Sequence, residues 1–204
     1  MRLVLLRHGQ TIWNAEHRFQ GQSDIPLDET GEAQAERAAR LLAALRPDMI
    51  ASSDLRRAAA TAAPLARLTG LEVTLDKDLR ERSGGDWEGL TDTEIDERYP
   101  RERASWDPPN GEPIVAVGDR VQAALKRVAA NLELNDGRLA VVVSHGAALR
   151  LGMERMLGLR EEQGGVLGPL SNCSWSVLGR RGSRWRILEH NAGTLPEPVL
   201  GDDR

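Results

Sequence analysis

The sequence predicts an α/β protein: a three-layer α/β/α sandwich around a mostly parallel central sheet. Three observations lead there. The runs at 3–6 (LVLL) and 139–143 (LAVVV) are continuously apolar, as strands buried on both faces are. Helical patterns separate the strand-like runs along most of the chain, which favours parallel pairing with helices on both faces. Both apolar runs end in a His-Gly pair, His8-Gly9 and His145-Gly146, and in such sheets ligands sit beyond the carboxyl ends of the strands. The 204 residues suit one domain over 1–204, with the tail after about His190 expected to be loose.

Each element has its own signal. A helix is expected from Asp28 to Leu45, capped by Thr30 or Asp28 and stopped by Pro47, with Ala33, Ala38, Leu41, Leu42 and Leu45 on its apolar face. A strand at 49–51 leads to Ser52-Ser53-Asp54, three residues suited to capping a helix over 55–69 that Gly70 ends. A strand at 71–75 precedes an irregular, glycine-rich segment at 79–90. A short helix over 91–99 is expected to close at Pro100. The prolines at 108, 109 and 113 make 106–118 a loop. Helices over 118–134 and 147–157 flank the strand at 139–143, whose valines suit a pleated surface. Strands at 174–178 and 185–189, joined by a turn around Gly182, complete the set.

Composition excludes several classes of function. Hydrophobic residues make up 40% and charged residues 28%, an ordinary globular balance. No stretch approaches the roughly 18 apolar residues that span a bilayer, so no membrane partner is expected. The opening MRLVLLRHG is too short in its apolar part for a secretory segment. One cysteine, Cys173, allows no internal disulfide and points to the cytoplasm. A net charge of −4 argues against nucleic acid as a partner. Lys77 and Lys126 are the only lysines, so an anion site here must be built from arginine, whose planar fork grips phosphate oxygens.

A histidine at a strand's carboxyl end, followed by glycine, can face an open crevice. One alone usually bonds to loop backbone; two at matching positions, the first preceded by Arg7, favour chemistry. Neutral imidazole is a competent nucleophile near neutral pH. Zinc is not expected, because neither histidine has a helical i,i+4 partner or a nearby cysteine pair. Phosphoryl transfer needs positive charge around the transferring oxygens. Arg7 supplies it beside His8, and Arg56 and Arg57 sit in the first turn of a helix, where free N–H groups also favour an anion. An acid is needed too; Glu81 is the candidate by position, although spacing does not separate it from Asp86 or Glu88. Trp106 is divided evenly between the crevice and a loop anchor, while Trp13 and Trp87 read as anchors and Trp175 and Trp185 as core. No G-x-x-x-x-G-K-[ST] run is present, which sets a P-loop enzyme aside.

Several blocks in order carry a family resemblance. Leu6-Arg7-His8-Gly9-Gln10-Thr11-Ile12-Trp13-Asn14 resembles the R-H-G-x-T-x-x-N motif of the histidine phosphatase superfamily, in its phosphoglycerate mutase-like branch. Gln20-Gly21-Gln22-Ser23-Asp24, Ser52-Ser53-Asp54-Leu55-Arg56-Arg57-Ala58 and Ser144-His145-Gly146 match in turn, as does Leu79-Arg80-Glu81 with Gly85-Asp86-Trp87-Glu88-Gly89-Leu90. The resemblance runs from Arg2 to about His190. It implies that His8 takes the phosphoryl group and that Arg7, Arg57 and His145 line the phosphate pocket, His145 adding charge if protonated. Asn14, Gln20, Gly21 and Gly146 would contact phosphate or substrate, and Glu81 would donate the proton and then act as base. Arg57, not Arg56, is the functional arginine because it directly precedes the alanine. The family uses no metal and no organic cofactor.

Departures from the mutase pattern favour hydrolysis. Mutases of this branch usually have asparagine where this chain has Ala147, their acid segment lacks the Gly85-Asp86-Trp87 run, and they carry extra segments that exclude water from the site. Within the family the blocks are most similar to bacterial phosphatases acting on glucosyl-3-phosphoglycerate or on a broad range of monoesters. The expected partner is therefore a small phosphate ester, and sheet-edge pairing offers a route to a homodimer. The alternatives are a phosphoglycerate mutase-type transferase and a catalytically silent phosphate-binding module.

Overall fold

The computed structural model describes residues 1–160 and 163–193. Among them run β1 (Arg2–Arg7), α1 (Ile12–Ala15), α2 (Glu29–Ala44), β2 (Met49–Ser52), α3 (Arg56–Thr69), β3 (Val73–Leu75), α4 (Asp92–Arg98), α5 (Pro100–Ser105), α6 (Ile114–Leu134), β4 (Leu139–Ser144), α7 (Gly146–Leu157), β5 (Trp175–Arg181) and β6 (Arg184–Ala192). Short 3-10 turns at Lys77–Leu79 and Gly85–Trp87 interrupt the irregular segment.

The strands form one sheet in the order β3-β2-β4-β1-β5-β6. β1, β2, β3 and β4 pair in parallel, and β5 is antiparallel to both β1 and β6, so only β5 runs against the rest. Alternation along the strands divides the core in two. Leu3, Leu5, Ala140 and Val142 pack beneath α6 and α7, whereas Val4, Leu6, Val141 and Val143 pack beneath α2 and α3. The three-layer expectation therefore holds. Helices leave β1 for one face and flank β4 on the other, which makes the gap between these two strands the topological switch point.

Local differences have tertiary causes. Asp28 caps α2 by accepting from the Gly31 N–H at 2.7 Å, and Thr30 lies inside the helix. The helix expected over 91–99 does end before Pro100, with Tyr99 as its C-cap, and Pro100 also opens α5 at the first position, where its missing N–H has no helical partner to lose. α6 begins four residues before Gly118. A Cβ at Gly118 would meet Arg155 Cγ at 3.2 Å, and one at Gly152 would meet Val121 Cγ1 at 2.4 Å, so these glycines let α6 and α7 approach rather than marking an end. α1 escapes the sequence pattern because it is one turn held by a capping box between Thr11 and Asn14. β5 and β6 extend beyond their expected ends. His190 belongs to β6, where Nδ1 lies 2.9 Å from Ser176 Oγ, and the rest of the expected loose tail, from 194 onward, lies outside the described residues. Trp175 is buried, but Trp185 is only half-buried against the core, with the Arg180 guanidinium 5.9 Å from its ring. Among the described residues no helix is long and apolar enough to cross a membrane.

Candidate active site

β1 and β4 pair in register from Arg2↔Leu139 to Arg7↔Ser144, so the next residue of each, His8 and His145, emerges side by side. The rings meet edge-on, with centroids 5.1 Å apart. The chain after β1 is pinned: His8 N–H donates to Ser144 O at 3.0 Å, Cys173 N–H to Arg7 O at 3.1 Å, and Asn172 Nδ2 to His8 O at 3.0 Å. Gly9 is needed for a different reason from the open crevice expected of it. A Cβ there would lie 2.5 Å from Gly31 O, in the backbone at the start of α2.

Hydrogen bonds fix the tautomer of each histidine. His8 Nδ1 lies 2.7 Å from Gly9 O, and a carbonyl only accepts, so Nδ1 carries the proton and Nε2 keeps its lone pair. Arg57 Nε donates to His145 Nδ1 at 3.2 Å, and arginine cannot accept, so the His145 proton sits on Nε2 and points to Ser53 Oγ at 2.9 Å. Burial, then the charges of neighbouring groups with Arg57 foremost, push both histidines well below the ordinary value of 6.5. Both rings are neutral at physiological pH. His145 is fully buried behind the cavity wall, so donation of charge to an oxyanion would require one of its two bonds to open.

Arg57 is fully buried at the start of α3. Nη1 donates to Ser23 O at 2.7 Å and Nη2 to Gly21 O at 2.8 Å, so this side chain draws the first loop over the strand ends. Desolvation lowers its pKa to about 10, against the attraction of Glu81 and Asp24, which leaves it charged at neutral pH. Arg56 is exposed, and its N–H is taken by Asp24 Oδ1 at 2.7 Å. The expected cap residues do not cap α3: Asp54 instead forms a two-pronged pair with Arg80 at 2.7 and 2.6 Å. Arg7 donates to Leu170 O, and its guanidinium lies against Gly146, where a Cβ would come within 3.5 Å of Nε.

The structure distinguishes the three candidate acids. Glu81 lines the cavity and accepts from the Ala147, Ala148 and Arg82 N–H groups at 3.1, 2.9 and 2.8 Å. Glu88 fastens two loops, accepting from Gln22, Ser23 and Gly84 backbone N–H groups at 2.9–3.0 Å. Gly21 has a φ of +52°, and a Cβ on it would strike this carboxylate. Asp86 holds Asn110 at the surface.

Arg7, His8, Asn14, Gln20, Gly21, Arg57, Glu81 and Gly146 all line one cavity of about 170 Å3. Asn14 Oδ1 accepts from Thr11 and Asn172, leaving the Nδ2 end for a ligand. Gln20 is buried with its Oε1 unpartnered among the described residues. Trp13, expected only to anchor a loop, lines the cavity, and so does Trp106, which also packs on Phe19 and Trp87; Trp87 itself is wholly buried. Sequence reasoning missed Arg18, Arg82 and Arg150 in the lining. Arg150 had a usable signal, since it lies one helical turn beyond Gly146 on α7. Among the described residues no group of three or more metal-ligating side chains converges.

Neutral buried histidines tie stability to pH. Between their folded pKa and about 6.5 the unfolded chain binds protons that the folded chain does not, so stability falls as pH drops through this window. The slope is about 1.4 kcal/mol per pH unit for each histidine. Urea midpoints are expected to fall between about pH 7.5 and pH 5.5, above the range where carboxylates titrate, and to fall less in His8→Gln. Equal shifts in both proteins would show that His8 carries none of this dependence.

Comparison with known proteins agrees with this geometry. The family model described as histidine phosphatase superfamily (branch 1) matches residues 3–193. The chain is 39% identical over 212 residues to a glucosyl-3-phosphoglycerate phosphatase of Mycolicibacterium vanbaalenii, covering 94% of each protein. It is 39% identical over 192 residues to a probable phosphoglycerate mutase of Salmonella paratyphi C, covering 91% of this chain and 87% of that one. The solved structure of a mycobacterial glucosyl-3-phosphoglycerate phosphatase with VO3 superposes with a TM-score of 0.89 at 39% identity, covering 94% of this chain and 99% of that chain. With the motif blocks, the fold and the paired histidines in agreement, this chain belongs to the histidine phosphatase superfamily, branch 1.

Proposed function

We propose that this protein is a metal-independent phosphomonoesterase that hydrolyses small phosphorylated metabolites, of the sugar or glycerate phosphate type, through a phosphohistidine on His8. The observation that carries this reading is the His8 tautomer: Nδ1–H is fixed on Gly9 O, so the lone pair is on Nε2, and the ring feels the charges of Arg57 and Arg7. Nε2 attacks phosphorus as the ester P–O bond breaks, and Glu81 protonates the departing alkoxide. Water then attacks phosphorus, the N–P bond breaks, and the Glu81 carboxylate takes the proton from water, leaving inorganic phosphate. Arg7 and Arg57 balance the charge of the transferring oxygens, with Asn14 Nδ2 and the walls at Gln20, Gly21 and Gly146 around them. The names of the relatives support a sugar-glycerate phosphate as substrate. A single cysteine, buried, supports a cytoplasmic setting.

The test is phosphate release, in chelator, from an aryl phosphate, sugar phosphates, 3-phosphoglycerate and glucosyl-3-phosphoglycerate. Release is expected, with the glycerate esters preferred. Isomerisation of phosphoglycerate without release would favour a mutase. Activity lost to chelator and restored by zinc or magnesium would sink the metal-free mechanism. Glu81→Gln is expected to lose about 10²–10⁴-fold on alkyl esters, which need a protonated leaving group, and far less on the aryl phosphate. An equal loss on both would remove Glu81 as the acid.

A further inference from the structure

Five arginines line the cavity, and their engagements differ. Arg7 and Arg57 are buried beside His8. Arg82 is buried and donates to Glu112 O and Trp106 O at 2.7 and 2.8 Å, which fixes it as a loop brace. Arg18 donates to Glu16 at 2.7 Å and to Gly89 O at 2.8 Å, with Glu94 a further 3.5 Å ion pair. The Arg150 side chain has no hydrogen bond to any described residue. Its one ion pair, to Glu154 Oε1, is long at 3.7 Å, and that oxygen already accepts from the Gly165 N–H at 3.1 Å. A guanidinium with five donors thus faces the cavity with almost nothing to hold.

Its position adds a length. Gly146 begins α7 against Arg7, and Arg150 lies four residues on, one turn and about 6 Å along the helix axis on the same face, where it still lines the cavity. A phosphoryl group at His8 would engage Arg7 and Arg57. A second anion a few bonds away on the same substrate would come within reach of Arg150.

We propose that Arg150 is a specificity-determining residue that binds a carboxylate on the substrate's alcohol portion, so that the preferred esters are phosphates of hydroxy acids such as glycerate. This rests on the phosphomonoesterase reading and says which part of the substrate the site selects. A carboxylate fits better than a second phosphate, because one guanidinium matches its single charge, whereas a second phosphate would bring about −1.5 to −2 and call for more than one cation.

The test compares 3-phosphoglycerate with glycerol 3-phosphate, which has the same carbon chain without the carboxylate, and adds an aryl phosphate as reference. Wild type is expected to prefer 3-phosphoglycerate. Arg150→Gln is expected to lose about 10- to 100-fold in kcat/KM on that ester, mainly through KM, and less than about threefold on glycerol 3-phosphate. Arg150→Lys, which keeps the charge, recovers part of the preference. Parallel losses on both esters, or no loss on either, would overturn the assignment. A wild type that releases phosphate from none of the three overturns the phosphatase reading and this inference with it.

Discussion

His8→Ala is expected to abolish turnover on every monoester, with a loss of at least about 10⁴-fold in kcat. Brief mixing of the wild type with substrate should trap a phosphoenzyme that is acid-labile and stable in base, and His8→Ala should form none. The size of the effect reflects the lack of a substitute. His145 is the one other imidazole at the strand ends, but its Nδ1 faces Arg57 and its Nε2 carries the proton given to Ser53. The same geometry predicts a broad acidic limit. Because burial and the two arginines lower the His8 pKa, the nucleophile stays neutral below pH 6.5, and the limb of the kcat/KM profile that reports it lies below that value. A phosphoenzyme of unchanged yield in His8→Ala would move the nucleophile elsewhere.

The parts of the site legible in the sequence are those coded over a few residues. LVLL and LAVVV announce strands buried on both faces, and the residue after each strand must emerge at its carboxyl end, so His8 and His145 can be paired from sequence. The choice of Arg57 over Arg56 is available from the motif, and the burial of one and exposure of the other agree with it. The features that escape the sequence depend on contacts across long stretches of chain. The N–H at the start of α3 is capped by Asp24, 32 positions earlier, although three better-placed cap residues precede it. Glu81 meets α7 across 66 residues. Gly118 reads as a helix boundary because glycine usually is one; its function at the α6–α7 crossing exists only once both helices are packed.

These long-range contacts make Arg57 the second position where a large loss is expected. Arg57→Ala removes the cation beside His8 and leaves Ser23 O, Gly21 O and His145 Nδ1 without their donor in a buried setting. Each such group costs about 1–3 kcal/mol, so the variant should be destabilised as well as inactive. Arg57→Lys separates the two effects. Lysine keeps the charge, but its single ammonium cannot span three acceptors that a planar fork reaches in fixed directions. Arg57→Lys is therefore expected to fold, by an unchanged circular dichroism spectrum, while losing at least about 10²-fold in kcat/KM. Arg56→Ala, one residue away and exposed, should lose less than about twofold. If Arg57→Lys retained full activity, charge alone would suffice at this position, and the loop carbonyls at Gly21 and Ser23 would have no part in aligning the phosphate. If Arg56→Ala lost as much as Arg57→Lys, the helix start rather than one side chain would be the anion-binding element, and the division of labour between the two arginines would be wrong.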